Sequence, residues 1–217
     1  TFTYDEGGGT GLDRIDDMMP TAWEEVSGTG LGMGYQTVSG VGGGTDIEWN
    51  VGMGLPDGMN AYIAWSPLPD GSKNTNKGTS GNHPNIIGHG WDVVITHSGI
   101  ADGLNVFAGY SHIDQLASLD DREARLLGAT YAFGGTTIGY QWSKDKNPGV
   151  PDSTADYYEN HAYGISFSVN DDLAISYGYH ESDRKKESGT QTVQGSSIQA
   201  SYSMGGASIK FAETDVD

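Results

Sequence analysis

Tight turns flanked by strictly alternating side chains are the feature that most constrains this sequence. In residues 126–142, apolar side chains occupy every second position before the Gly134-Gly135 pair and again after it. This pattern predicts a β-hairpin whose turn is formed by the two glycines. The positions between the apolar ones carry small and polar residues, namely Gly128, Thr130, Gly139, Gln141 and Ser143. One face of the predicted sheet is therefore apolar, and the other is too small and polar for a packed core.

The same hairpin pattern recurs along the chain. Tight turns are predicted near residues 56, 101, 134, 171 and 205, each between two alternating segments. Longer polar segments separate consecutive hairpins, and they read LPDGSKNTNKGTSGNHPN, DQLASLDD, KDKNPGVPDSTADYYEN and ESDRKKESGTQTVQGS. Short turns therefore alternate with long polar loops. The space between a turn and a loop suits a membrane-spanning strand of roughly 9 to 11 residues.

The hydropathy of the chain restricts how it could cross a membrane. Hydrophobic residues make up 35% of it, and no segment approaches the roughly 18 apolar residues of a membrane helix. Any span must therefore consist of strands, and short turns, long loops and alternation are typical of a transmembrane β-barrel. The alternatives are a soluble β-sandwich or a propeller. Aromatic residues near both strand ends, and polar faces without dense Lys and Glu, favour an all-β, antiparallel transmembrane β-barrel.

Charge and motifs narrow the possible functions. The chain has 11 basic and 29 acidic residues, a formal charge of -18, which argues against nucleic-acid binding and favours attraction of cations. It contains no cysteine, and the motifs of zinc hydrolases, serine hydrolases and phosphate-binding loops are absent from the sequence. We therefore predict no catalytic residue and no metal ligand. The histidines are scattered among loops and strand ends, at His83, His89, His97, His112, His161 and His180.

One acidic segment, 12–35, interrupts the series of hairpins. It carries five carboxylates and one arginine, at Asp13, Arg14, Asp16, Asp17, Glu24 and Glu25. A loop of this length and charge is typical of a functional segment. In a narrow, water-filled passage with walls of low dielectric constant, carboxylates attract cations and repel anions. The alternative interpretation is a surface loop whose acids are simply solvated.

The sequence resembles the general diffusion porins of Gram-negative bacteria, in particular their alphaproteobacterial branch. The resemblance rests on TFTY at 1–4, on the acidic IDDMMPTAWEE, and on GTDIEW at the start of the next strand. The hairpins ARLLGATYAFGGTTIGYQWS and AYGISFSVNDDLAISYGY add to it. It implies a single porin barrel domain over 1–217, with about 16 strands in the whole protein. It also implies a homotrimer in the bacterial outer membrane, in contact with lipid and lipopolysaccharide, that passes small hydrophilic solutes and cations.

By the same resemblance, residues 12–35 are the extracellular loop that folds inward and narrows the pore. The alternation of the strands predicts side chains that face the lumen, namely Glu48, Asp92, Gln141, Ser176, Gln199 and Lys210. Lys210, with Arg122 and Arg184 as further candidates, is expected to face the acidic loop across the passage. Both ends of the chain read as interrupted strands, so we expect an internal fragment of a longer barrel.

The function predicted from the sequence is passive diffusion of ions and small hydrophilic solutes through a water-filled pore that prefers cations. The alternatives are an outer-membrane barrel that acts as an adhesin or structural surface protein, and a soluble β-sandwich binding module. No cofactor is predicted. Low-affinity Ca²⁺ binding at the acidic segments 118–123 and 152–160 is left open.

Overall fold

The fold is an antiparallel sheet in which each strand pairs with the next one along the chain. The computed structural model describes residues 1–5, 8–26, 38–42, 45–69, 87–115, 120–148 and 155–217. The strands are β1 Phe2–Asp5, β2 Thr45–Asn50, β3 Met59–Leu68, β4 Ile87–His97, β5 Leu104–Gln115, β6 Arg122–Phe133, β7 Thr136–Lys146, β8 Tyr157–Ser168, β9 Leu173–Lys186, β10 Gly189–Met204 and β11 Ala207–Val216. Within the described residues these eleven strands form one sheet in sequential order, with β1 and β11 at its two edges.

The five predicted tight turns are confirmed, and each joins two neighbouring strands at the same end of the sheet. Between β6 and β7 the turn is Gly134-Gly135, and Gly134 has a φ of 57°. This left-handed conformation favours glycine, which has no Cβ to clash with the backbone. The connections at the opposite end, apart from the one between β9 and β10, are longer and lie partly outside the described residues.

Residues 181–196, which the sequence predicts as a long loop, instead extend two strands. β9 continues to Lys186 and β10 begins at Gly189, so that two residues connect them. Side chains bond across this extension: Thr192 Oγ1 donates to Asp183 Oδ1 at 2.5 Å, and Gln194 Nε2 donates to Glu181 Oε2 at 2.7 Å. The loop prediction is wrong because the apolar alternation ends here while backbone pairing and polar cross-strand pairs continue.

The two faces of the sheet differ in the way that the alternation predicts. Large apolar side chains are exposed on one face, which we call the outer face; Leu127 and Phe133 are each 49% exposed. Tyr163, Phe167 and Tyr177 belong to the same face and are exposed as well. The inner face carries the small and polar residues. A soluble sandwich would cover its apolar face with protein, whereas here that face is uncovered along most of the sheet.

Buried apolar contacts are concentrated where residues 8–26 lie against the inner face. The cluster joins Leu12 and Ile15 to inner-face side chains of β4, β5 and β6 and to Val38. Its buried members are Leu12, Ile15, Val38, Val94, Phe107, Ala124 and Leu126. The helical part of the described chain is short, and none of it has the length and apolar character needed to span a membrane.

Candidate functional site: a segment across the inner face of the sheet

Residues 8–26, which we call the crossing segment, run along the inner face from β2 to β11. The segment begins with a short 3-10 helix, η1, at Gly11–Arg14, which contacts β3, β4 and β5. Its later residues contact β7, β9, β10 and β11 through hydrogen bonds. A chain segment that traverses one face of a barrel wall reduces the free cross-section on that face. The assignment of residues 12–35 as a constriction loop stays a prediction, and its residues 27–35 lie outside the described residues.

Carboxylates of β2 and β4 hold the first part of the crossing segment. Thr10 Oγ1 donates to Asp46 Oδ2 at 2.5 Å, and the Gly11 N–H donates to Glu48 Oε2 at 3.0 Å. The fully buried Asp92 accepts the Leu12 N–H at 2.8 Å on Oδ2. These strand carboxylates satisfy backbone donors that a short helix leaves without partners at its N-terminus. They therefore attach η1 to the wall.

Asp92 also holds the returning chain, since the Val41 N–H donates to the same Oδ2 at 3.0 Å. The backbone approaches this carboxylate at two glycines, Gly11 and Gly40, whose φ values are 54° and 62°. A Cβ added to either glycine would lie 2.2 Å or 2.1 Å from Asp92 Oδ2, respectively. Neither the conformation nor the space admits a side chain, so Asp92 and the two glycines form one close-packed attachment.

Apolar contacts fix η1 from its other side. Leu12 and Ile15 are buried against Val94 and Phe107. Gly109 on β5 provides the space for them, because a Cβ at that position would lie 2.8 Å from Leu12 Cδ1 and 3.1 Å from Ile15 Cδ1. Truncation of a buried Leu or Ile to Ala costs about 2 to 5 kcal/mol. The segment is thus packed onto the wall as well as hydrogen-bonded to it.

Amide and hydroxyl groups of β7, β9 and β10 hold the second part of the crossing segment. Gln141 Nε2 donates to the Asp16 carbonyl at 2.9 Å, and the Ala22 N–H donates to Ser176 Oγ at 2.8 Å. Gln199 bonds to both backbone groups of Glu24, donating to its carbonyl at 2.7 Å and accepting its N–H at 3.3 Å. Buried amides that satisfy a crossing backbone in this way fix its register against the wall.

The small residues of the inner face lie where the crossing segment approaches the strands most closely. A Cβ on Gly139 would lie 2.5 Å from Pro20 Cδ, and one on Gly164 would lie 2.8 Å from the Pro20 carbonyl oxygen. On β9, a Cβ on Gly178 would lie 2.6 Å from Val26 Cγ2. The inner face therefore lacks large side chains because the crossing segment itself occupies the space that they would fill.

All six side chains predicted to face the lumen contact the crossing segment. Lys210 contacts it through Trp23, with Nζ 5.3 Å from the centre of the indole ring. Trp23 Nε1 in turn donates to the Phe211 carbonyl at 3.1 Å. Sequence reasoning missed Asp46 and Trp23. The parity of β2, which places Asp46 on the face of Glu48, would have found the first, whereas Trp23 carried no periodic signal.

The six charged residues predicted for the constriction have different environments. Asp13 and Asp16 are buried, at 9% and 8% exposure, so they face protein. Arg14 pairs with Glu48 and lies with its guanidinium carbon 4.1 Å from the centre of the Tyr62 ring. Asp17 is exposed and Glu24 is half-buried. The crossing segment therefore offers fewer accessible charges than its sequence contains.

Glu25 is held in a protonated form at neutral pH. Burial, followed by hydrogen bonds to Asp17 and Glu24, raises the pKa of its carboxyl to about 10. These three residues are neighbours, and a shared proton relieves the repulsion that three close carboxylates would otherwise have. A cleft open to solvent lies between this group and β7–β9, and Asp17, Glu25, Gln141 and His180 line it.

The basic residues predicted to oppose the acids differ in their availability. Arg122 and Asp145 form a buried pair, with Nε and Nη2 donating to the two carboxylate oxygens at 2.8 and 2.6 Å. Arg184 bonds to Gln191 on the extension of β10. Lys210 is exposed beside Trp23. Of the three predicted cations, Lys210 is the one placed beside the crossing segment.

Comparison with known proteins is consistent with this architecture. Residues 7–215 match the family described as Gram-negative porin. OmpF of Salmonella typhi, solved in complex with daunomycin, is 16% identical with a TM-score of 0.70, covering 98% of this chain and 66% of that one. The anion-selective porin from Comamonas acidovorans is 16% identical with a TM-score of 0.58, over 80% and 48% of the two chains. OmpT of Vibrio cholerae is 12% identical with a TM-score of 0.65, over 99% and 66%.

These likenesses establish the fold of the chain. It spans about two thirds of the Salmonella and Vibrio proteins and about half of the Comamonas protein. The search of curated proteins found no match. The all-β, antiparallel porin fold predicted from the sequence is thus confirmed, whereas the assignment of individual residues to the pore stays a prediction.

Proposed function

The chain belongs to the Gram-negative porin family, and from this premise we propose that the whole protein is a passive channel for ions and small hydrophilic solutes. Membership of the family places it in the bacterial outer membrane. We propose that it acts without catalysis, by letting solutes diffuse through a water-filled passage narrowed by the crossing segment. Selection then depends on the width of that passage and on the charges along it.

The observation that carries the proposal is the attachment of residues 8–26 across a polar inner face. Hydrogen bonds to β2, β4, β7, β9 and β10 hold the backbone of the segment. A surface protein with no transport function has no need of a chain segment fixed inside its wall. The polar inner face also leaves room for water, while the apolar outer face suits lipid or a neighbouring subunit.

We further propose that the channel prefers cations. The fold does not determine this sign, since a porin of the same fold from Comamonas acidovorans is anion-selective. The sign depends on the accessible charges of the crossing segment, where Asp17 and Glu24 remain once the neutral Glu25 and the paired Arg14 are set aside. Lys210 on β11 adds one accessible positive charge beside the segment. Two acids against one base, on a chain of net charge -18, favour cations in a narrow passage.

The test is electrical and uses the full-length protein in planar bilayers. Stepwise, ohmic conductance is expected, and the reversal potential across a salt gradient should have the sign of a cation-preferring channel. Neutralising Asp17 and Glu24 together, as D17N/E24Q, should lower the ratio of cation to anion permeability. Because exposed charges are screened beyond about 8 Å at physiological salt, the effect should shrink as the salt concentration rises.

A matched control neutralises two exposed acids at the turns, as D102N/D171N, which removes the same charge far from the crossing segment. This variant should keep the selectivity of the wild type. Equal losses in the two double variants would show that net charge, and not the constriction, sets the preference. A stable barrel without conductance would overturn the channel itself and favour an adhesive or structural role.

Two finer assignments belong to the same proposal. We propose that the whole protein is a homotrimer. The outer face exposes a continuous apolar surface, and in a trimer neighbouring subunits cover part of this surface while lipid covers the rest. We assign it to the alphaproteobacterial branch on the combination of IDDMMPTAWEE and GTDIEW in 15–49. The mass of the detergent-solubilised protein, measured by light scattering, tests the first; a monomer mass would refute it.

A further inference from the structure

A cluster of histidines and aspartates lies on the outer face, away from the crossing segment. His89 belongs to β4, His112 and Asp114 belong to β5, and Asp121 directly precedes β6. The register pairs His112 with the exposed Trp91, and their rings are 5.8 Å apart. These residues therefore share the face that carries the exposed aromatics, at the end of the strands opposite the tight turns.

Three ligand atoms of this cluster converge on one point. His112 Nε2 lies 3.2 Å from Asp114 Oδ1 and 3.6 Å from Asp121 Oδ2. All three lie within 4.8 Å of one another. A tetrahedral zinc ion with bonds of about 2.0 to 2.2 Å keeps its ligand atoms about 3.4 Å apart. The two distances from His112 lie on either side of this value, and the two carboxylate oxygens lie within 4.8 Å of each other, so a side-chain movement that brings the carboxylates together would complete three bonds to one ion.

Neighbouring groups orient the two carboxylates toward His112. His89 Nδ1 lies 2.8 Å from Asp114 Oδ2, which leaves Oδ1 directed at His112. The Gln115 N–H donates to Asp121 Oδ1 at 3.0 Å, which leaves Oδ2 directed at the same imidazole. Gln115 Nε2 also bonds to the Asp120 carbonyl at 2.8 Å and fixes the backbone beside Asp121. Such partners hold ligands in place in metal sites.

We propose that His112, Asp114 and Asp121 bind a zinc-class divalent cation, with His89 as a positioning residue for Asp114 and water as the fourth ligand. An imidazole nitrogen together with two carboxylates suits zinc and its neighbours in the first transition row. Calcium and magnesium take oxygen ligands instead. The sequence prediction had no metal ligand here, and its open Ca²⁺ alternative at 118–123 included Asp121 alone of the three. His112 and Asp114 lie two residues apart on β5, and the connection to β6 brings Asp121 to them, a spacing that matches none of the metal-binding motifs sought in the sequence.

The ordinary alternative is an ion pair between a protonated His112 and its two acids, without a metal. Surface pairs of this kind contribute little to stability. The two possibilities differ in what they bind and not in their geometry. Direct measurement of metal binding therefore separates them.

The experiment titrates the untagged full-length protein in detergent with Zn²⁺ by calorimetry and with Co²⁺ by visible absorption. One Zn²⁺ per chain is expected at this site, and the Co²⁺ form should show the intense bands of four-coordinate cobalt. H112Q and D121N should abolish this binding. H89Q, which removes an orienting partner, should weaken it by about tenfold.

Two matched controls lie beside the cluster in the chain or on the same face of the sheet. D120N removes the acid next to Asp121, and H161Q removes an outer-face histidine that bonds to the Tyr140 hydroxyl at 2.9 Å. Both should bind Zn²⁺ as the wild type does. The proposal is overturned if the wild type shows no saturable Zn²⁺ binding, if H112Q binds with unchanged affinity, or if equimolar Ca²⁺ displaces the Zn²⁺. The cobalt spectrum of the unmodified protein does not depend on how the variants fold. Weak bands typical of six-coordinate cobalt in that spectrum would also overturn the proposal.

Discussion

Removal of the Asp92 carboxylate should release the first part of the crossing segment from the wall. In the native structure its Oδ2 accepts the Leu12 N–H at 2.8 Å and the Val41 N–H at 3.0 Å. A buried backbone N–H that loses its acceptor costs about 1 to 3 kcal/mol. Asp92→Ala loses both bonds and leaves both buried donors without their acceptor. We therefore expect the attachment to weaken by about 2 to 6 kcal/mol.

This loss has a measurable kinetic consequence at Arg14. Because about 1.4 kcal/mol corresponds to a factor of ten, the population of molecules with η1 detached should rise at least about twentyfold. Trypsin cleaves after arginine, and cleavage of a transiently opened segment follows the population of the open form. The rate of cleavage after Arg14 in the folded, detergent-solubilised protein should rise accordingly. Single-channel conductance should also increase, because the detached segment no longer narrows the passage.

Two variants control this prediction. Asp92→Asn keeps one oxygen acceptor and should give a smaller increase in cleavage, since neutral hydrogen bonds contribute about 1 kcal/mol. Asp102→Ala removes an exposed acid at the turn between β4 and β5 and should change neither measurement. If Asp92→Ala is cleaved after Arg14 as slowly as the wild type and conducts like it, Asp92 does not hold the crossing segment.

Three further predictions test other parts of the structure. Glu25 ionises only as the pH rises through its pKa of about 10. Cation preference should therefore increase between pH 8 and 11 in the wild type and not in Glu25→Gln. The free energy of unfolding should fall as the pH rises from the ordinary pKa of a glutamate to this raised pKa, because the folded state holds the proton more tightly. An equal rise in the variant would contradict this. Ile165→Arg on the outer face should cost about 2 to 4 kcal/mol of stability in lipid, and Ser166→Arg on the inner face far less, measured by denaturant unfolding; the reverse order would invert the faces. Gly164→Val should destabilise by about 1 to 3 kcal/mol, because a Cβ there already lies 2.8 Å from the Pro20 carbonyl oxygen; an unchanged unfolding midpoint would show that Pro20 moves freely.

The hairpins and their faces could be predicted because the information is local. Alternation determines which residues share a face, and a Gly-Gly pair determines where the chain turns. Leu127 and Tyr131 are exposed, while Gln141, next to the exposed Tyr140, is buried, as the period of two requires. The lengths of β9 and β10 were not predictable in this way. Where the end of β9 meets the beginning of β10, the strands pair through Thr, Gln and charged side chains. This composition is typical of a loop, so the sequence predicts a loop once the apolar alternation stops.

The path of the crossing segment could be predicted as a location but not as a set of contacts. Leu12 and Asp92 are separated by 80 residues in the chain, and no pattern within either segment specifies that they meet. The same limit applies to the proposed metal cluster, because strand pairing brings His89 of β4 to Asp114 of β5 and the β5–β6 connection brings Asp121 to His112. Sequence spacing therefore identified which faces matter, and strand pairing decides which side chains meet on them.

The charge of the constriction shows why counting acids is a poor measure of selectivity. The segment contains five carboxylates, yet Asp13 and Asp16 face protein and burial keeps Glu25 protonated at neutral pH. Its one arginine is offset by Glu48 from the wall. Some acids of the segment are therefore packed against protein and are not available to attract ions. Under the proposed function the ion preference therefore depends on Asp17 and Glu24, and we expect D17K/E24K to reverse the sign of the reversal potential while the fold and the attachment stay the same.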